Sequence, residues 1–128
     1  MATILVVDDE RDVVQCMAIY LECEGFQVLR AYDGVEALEI VRATPPDVVA
    51  LDVVMPKLSG LDVLREMQAD PATAHIPVVM LSAISARPEK IAETLDLGAT
   101  WYMTKPYDVD ELLLILKRIA ASPRAAEV

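Results

Sequence analysis

The sequence has no apolar run that approaches the ~18 consecutive residues of a membrane span. Its N-terminal Met-Ala-Thr-Ile-Leu also lacks the basic segment that precedes the apolar part of a secretory leader. A cytoplasmic protein is expected. Positive charge is scarce too: eleven Lys and Arg face twenty-one Asp and Glu, for a net charge of −10. Such a surface repels polyanions and anionic lipid, so neither direct nucleic-acid binding nor membrane binding is expected. The two cysteines, Cys16 and Cys23, fall seven residues apart on one predicted helix. That places them roughly 10 Å apart along the axis, too far for the ~5.5 Å Cα separation of a disulfide, so reduced thiols are expected. The single histidine, His75, lies between Pro71 and Pro77 without a second histidine or a nearby cysteine to complete a zinc site.

What is present is apolar and periodic. At 128 residues, 55% of them hydrophobic, the chain has the size of one domain that buries roughly two-thirds of its unfolded surface. Runs rich in β-branched residues at Thr3 to Val7, Gln27 to Ala31, Val48 to Leu51, Val78 to Leu81 and Thr100 to Met103 predict five strands. Helical periods separate them. Val13, Met17, Tyr20 and Leu21 make one stripe, stopped by Gly25; further helices are predicted at Val35 to Arg42, Leu61 to Gln68, Glu89 to Leu97 (closed by Gly98) and Val109 to Ala121. Nearly continuous apolar strands alternating with helices imply a doubly wound α/β domain with a parallel sheet covered on both faces. The domain is expected to span residues 1–121, with 122–128, Ser-Pro-Arg-Ala-Ala-Glu-Val, as a short tail or the start of a linker.

In such a sheet, function belongs at the carboxyl ends of the strands. The first strand ends in Asp8-Asp9-Glu10 and the third in Asp52. Each acid alone has an ordinary explanation, as a helix cap or an Asx turn. Together, if the first and third strands lie side by side, they are harder to dismiss. Two like charges at ~4 Å repel by about 4 kcal/mol at an effective dielectric of 20, so a cluster must protonate, spread or hold a cation. An all-oxygen donor set suits Mg²⁺, or Mn²⁺. Ser82 and Lys105 end the fourth and fifth strands on the same rim, where a hydroxyl and an ammonium can cradle a tetrahedral dianion. The ordinary alternatives are a helix cap for Ser82 and a counter-charge for Lys105.

Four segments together resemble the response regulator receiver domain: Ile-Leu-Val-Val-Asp-Asp-Glu at 4–10, Ala-Tyr-Asp-Gly-Val-Glu-Ala-Leu at 31–38, Pro-Asp-Val-Val-Ala-Leu-Asp-Val-Val-Met-Pro at 46–56 and Tyr-Met-Thr-Lys-Pro-Tyr at 102–107. The resemblance runs from about Ala2 to Ala121. It implies strand order 2-1-3-4-5, Asp52 as phosphoryl acceptor, and Asp8, Asp9, Asp52 and the Val54 carbonyl as metal ligands. It makes Lys105 the partner of the phosphoryl oxygens, in a cis bond to Pro106, and Ser82 and Tyr102 the switch pair. The donor it implies is a phosphohistidine on a histidine kinase or phosphotransfer protein, and the recipient of the signal a protein effector or a fused output domain. Such a domain catalyses its own phosphorylation and dephosphorylation but serves signalling, not metabolism.

Two positions tune hydrolysis in this family, and here both are apolar, Val54 and Ile84; neither can orient an attacking water, so a long-lived phosphorylated state is expected. On the last helix Leu112, Ile115, Leu116 and Ile119 form the inward stripe and leave Leu114 outside, which motivates an expectation of phosphorylation-dependent dimerisation or docking there. Three rival readings fit these residues less well. A haloacid-dehalogenase-type enzyme needs a second aspartate where Val54 stands; a flavodoxin-like carrier needs backbone phosphate donors where Asp8-Asp9-Glu10 stands. A receiver fold used only as an unphosphorylated interaction module is the third, and it would not need Asp8, Asp9, Asp52, Ser82 and Lys105 together.

Overall fold

The computed structural model describes residues 2–55, 57–82 and 88–121, and the side chains of these except Pro88 and Lys90. The elements alternate as β1(Thr3–Val7), α1(Arg11–Cys23), β2(Gln27–Ala31), α2(Gly34–Ala43), β3(Val48–Asp52), α3(Gly60–Ala69), β4(Val78–Ser82), α4(Pro88–Asp96), β5(Trp101–Thr104) and α5(Val109–Ala121). The strands form one parallel sheet in the order β2-β1-β3-β4-β5. Ile84 and the tail 122–128 lie outside the described residues.

The three central strands are apolar except for Thr3, Asp52 and Ser82 at their ends, because both of their faces are covered, and β3 and β4 are buried at every position. Alternate residues serve opposite sides. Leu5, Val7, Val49, Leu51, Val78 and Met80 pack with Ala37, Leu38 and Val41 of α2 and Val63, Leu64 and Met67 of α3. Ile4, Val6, Val48, Ala50, Val79 and Leu81 pack with Val14, Met17 and Leu21 of α1 and Leu112 and Leu116 of α5. Each fully buried Leu or Val contributes roughly 1.5–3 kcal/mol relative to an exposed one.

Helix ends follow local chemistry. Asp33 caps α2 by accepting from the Glu36 amide at 2.8 Å, and the Glu36 carboxylate accepts from the Tyr32 amide at 2.7 Å. Ser59 and Asp62 form a reciprocal capping box at the start of α3. Gly25 and Gly98 follow their helices at φ +98° and +116°, the left-handed region that glycine enters without a side-chain penalty.

The α1 stripe differs slightly from its prediction. Val14, Met17, Ala18 and Leu21 are buried while Val13 and Tyr20 are half-buried, because the small Ala18, invisible to a search for large apolar residues, lets the helix sit close to the sheet. Leu114 of α5 is exposed, as the periodicity predicted. Cys16 and Cys23 are both free and exposed on α1.

Candidate functional site

The register Val7↔Leu51 between β1 and β3 brings the next residue of each chain, Asp8 and Asp52, to the same edge of the sheet. Asp9 joins them, and the three carboxylates have oxygens that all lie within 4.8 Å of one another. Both Asp8 and Asp52 are buried, at 3% and 4% exposure, whereas Asp9 is exposed. Gathering acids out of water is unfavourable unless a cation answers them.

Lys105 supplies part of that answer. Its Nζ lies 3.2 Å from Asp8 Oδ2 and 3.6 Å from Asp52 Oδ1. Burial alone would lower the Lys105 pKa, but the carboxylates of Asp52 and Asp8 outweigh it and hold the ammonium above its ordinary value. The lysine is aimed by its own backbone: its amide donates to the Ser82 carbonyl at the end of β4, and the Lys105–Pro106 peptide is cis.

The two buried acids are not equivalent. Asp8 Oδ1 accepts from the Glu10 amide at 3.0 Å, an Asx-type turn, and Oδ2 accepts from Lys105. Asp52 Oδ1 is buried and, among the described residues, has no hydrogen-bond partner. Burial and, next, the charge of Asp8 push the Asp52 carboxyl up to about 6, against the opposing pull of Lys105 and a backbone hydrogen bond from Val54. An orphaned anionic oxygen among three acids is the mark of a site that fits a divalent cation with oxygen ligands.

The remaining predicted residues fall around this rim. Ser82 is the buried last residue of β4, and residues 83–87, between it and α4, lie outside the described residues. Tyr102 is half-buried in β5, opposite Met80 of β4, and packs on the cluster shared with α2 and α3. Val54, two residues beyond Asp52, is exposed at 59%. Tyr107 had been given no role by sequence, yet it stands close enough to Lys105, Asp8 and Asp52 to feel their charges, and burial raises its pKa. Its position two residues after Lys105 was the available signal.

Residues 4–117 match the family described as Response regulator receiver domain. The chain belongs to that family. Over 131 residues it is 37% identical to the DNA-binding dual master transcriptional regulator RpaA of Synechocystis, covering 99% of this chain and 54% of that protein. It is 40% identical over 116 residues to the response regulator MprA of Mycobacterium ulcerans, covering 91% of this chain and 49% of that protein. Among solved structures, the receiver domain of the Francisella response regulator 1452 superposes with a TM-score of 0.88 at 31% identity, covering 94% of this chain and 97% of that one. The Vibrio cholerae chemotaxis protein CheY4 does so at 0.85 and 33%, covering 93% and 98%. The receiver is thus a two-component signalling domain and not a metabolic enzyme, and its observed strand order is that of the receiver fold.

One expectation is corrected. Charge alone predicts no direct nucleic-acid binding, but RpaA is by name DNA-binding, and the receiver spans about half the length of the curated relatives it matches. The physical reason is range. Repulsion between exposed charges fades over a Debye length of about 8–10 Å, so an acidic receiver is compatible with DNA contacts made by a separate part of the same polypeptide. Among the described residues no helix is long and apolar enough to cross a membrane.

Proposed function

We propose that this receiver accepts a phosphoryl group on Asp52 from a phosphohistidine of a histidine kinase or phosphotransfer protein, and that the modification switches the surface formed by α4, β5 and α5. The observation that carries the reading is the buried, unpartnered Asp52 Oδ1, set beside Asp8, Asp9 and the Lys105 ammonium. An oxygen with no competing donor is available to attack. The Asp8, Asp9 and Asp52 carboxylates, with the Val54 carbonyl, would hold Mg²⁺ or Mn²⁺, and their all-oxygen chemistry fits it. When bound, the ion supplies positive charge against the anionic oxygens of the incoming group.

A carboxylate oxygen of Asp52 attacks phosphorus in line, forming the new P–O bond while the P–N bond breaks and its electron pair returns to the imidazole ring. Lys105 turns from its two carboxylates to donate to the phosphoryl oxygens, so catalysis is mainly positioning and electrostatics. The acyl phosphate brings close to two negative charges to the rim. Ser82 offers its hydroxyl to that new charge, and the half-buried Tyr102 follows, biasing the equilibrium between two surface arrangements. The apolar Val54 and Ile84 leave an attacking water unoriented, which prolongs the phosphorylated state.

The exposed, unbridged Cys16 and Cys23 suit a reducing cytosol as the setting. By likeness to RpaA, the response controlled is transcription. Incubation with acetyl phosphate, with and without Mg²⁺, tests the reading. A mass gain of one phosphoryl group that requires the metal and disappears in Asp52→Ala is expected; labelling that persists in Asp52→Ala would refute the assignment.

A further inference from the structure

The segment between β3 and α3 holds a glycine that no sequence motif had singled out. Its value is space, not backbone freedom: among the described residues the glycines at positive φ are Gly25 and Gly98, and Gly60 is not one of them. A side-chain carbon at Gly60 would lie 2.2 Å from the Asp52 carbonyl oxygen, 2.9 Å from Val53 Cα and 3.0 Å from the Asp52 carbonyl carbon. All three obstacles are backbone atoms, so no rotamer change can relieve the overlap.

The same residue ties the segment shut. The Gly60 amide donates to the Val53 carbonyl at 2.8 Å, so the first residue of α3 is bonded to the residue that follows the acceptor. Ser59 fixes that first turn from the other side through its capping box with Asp62. The peptide that carries Asp52 is therefore seated directly against the start of a capped helix, and the carboxylate above it has its direction set from below as well as by Lys105.

We propose that Gly60 is a positioning residue for Asp52: the absence of a side chain lets α3 press against the Asp52 peptide and holds the carboxylate at the distance from Asp8 and Lys105 that phosphoryl transfer uses. The proposal rests on the reading of Asp52 as the acceptor. Gly34 provides an internal control. A carbon added there would meet the Leu58 carbonyl oxygen at 2.6 Å, Leu58 Cβ at 2.7 Å and Val63 Cγ2 at 2.9 Å, a close collision with one backbone and two side-chain atoms, none of them belonging to Asp52.

The test compares Gly60→Ala with Gly34→Ala in the full chain, measuring thermal stability, the rate of phosphorylation by acetyl phosphate at saturating Mg²⁺, and the affinity for Mg²⁺ alone by calorimetric titration. A retreat of the Asp52 peptide by roughly 1 Å is expected to slow Gly60→Ala by about 10²-fold and to weaken its metal affinity. Gly34→Ala, matched in stability loss by choice of temperature, is expected to keep its rate within about threefold of wild type and its metal affinity unchanged, because the reacting groups stay in register. Ser59→Ala, which adds no atoms and only loosens the first turn of α3, covers the case in which Gly60→Ala does not fold; it is expected to slow phosphorylation by about threefold or more.

Parallel losses in the two glycine variants at equal stability overturn the proposal, as does an unchanged rate in Ser59→Ala. A wild-type chain that gains no phosphoryl group overturns the assignment of Asp52, and the proposal with it. Normal wild-type labelling with parallel losses sinks the role of Gly60 alone.

Discussion

The ends of β1 and β3 are neighbours that meet the same problem, a buried carboxylate, and solve it differently. At the end of β1, Asp8 accepts from the Glu10 amide and from Lys105, one donor for each oxygen. At the end of β3, Asp52 is just as buried, but one oxygen has no hydrogen-bond partner and Lys105 stands a little farther off, at 3.6 Å. Burial is therefore not what separates the two acids. Each has one backbone donor, Glu10 for Asp8 and Val54 for Asp52; the separation lies in the Lys105 ammonium, which hydrogen-bonds Asp8 and stands farther from Asp52.

Mutating each end breaks the comparison in proportion to this difference. The largest effect is expected from Asp52→Ala, which removes the proposed nucleophile, so metal-dependent phosphorylation should vanish from the mass spectrum. Next comes Lys105→Ala. Loss of a donor that faces the transferred oxygens typically costs about 10²–10³-fold, and the phosphorylation rate with acetyl phosphate should fall by that order while Asp52 remains the labelled residue.

A stability measurement sharpens the contrast. Because the native Asp52 carboxyl is pushed up to about 6, the folded state binds its proton more tightly than the unfolded chain does. Ionisation as the pH rises through this range thus withdraws stability, a penalty fully present above about pH 6 and gone below about pH 4, where both states are protonated. In metal-free buffer at pH 7, Asp52→Asn is expected to stabilise the fold by about 1–3 kcal/mol, with the gain fading on acidification. Asp8→Asn has two donors to lose and should gain at least about 1 kcal/mol less. Equal gains from the two variants in chemical denaturation would remove the distinction between Asp8 and Asp52.

The smallest effect belongs to the residue beyond the acceptor. Val54→Asn places a hydrogen-bonding group where an exposed apolar side chain now stands, and release of inorganic phosphate from the labelled protein should quicken several-fold, on the order of a modest acid–base contribution. Unchanged or slower release argues against a shielding role for Val54.

The sequence was most legible where one physical demand acts alone. Val48 to Leu51 had to be a buried strand because nothing polar interrupts it, and Gly25 and Gly98 had to stop helices because their positions suit a left-handed residue. Strand order was a different matter; it came through the resemblance, since apolar pattern does not say which buried strands are neighbours. At the site, Asp8, Asp9, Asp52, Ser82 and Lys105 were readable as polar residues ending apolar runs. Less legible was what depends on contact across the fold: the unequal bonding of Asp8 and Asp52, the reach of Tyr107 into the acidic rim, and the Gly60 approach to the Asp52 peptide. Charge misled in one respect, because a composition describes a segment and not whatever shares its polypeptide.

The chain has a single tryptophan, Trp101, half-exposed at the start of β5 and adjacent in sequence to Tyr102. Its fluorescence therefore arises from one known place, on the edge strand that the proposed switch would disturb. Unlabelled protein carries its own lamp there, and a change in emission or quenching on phosphorylation of the distant aspartate would time the relay from rim to edge in real time.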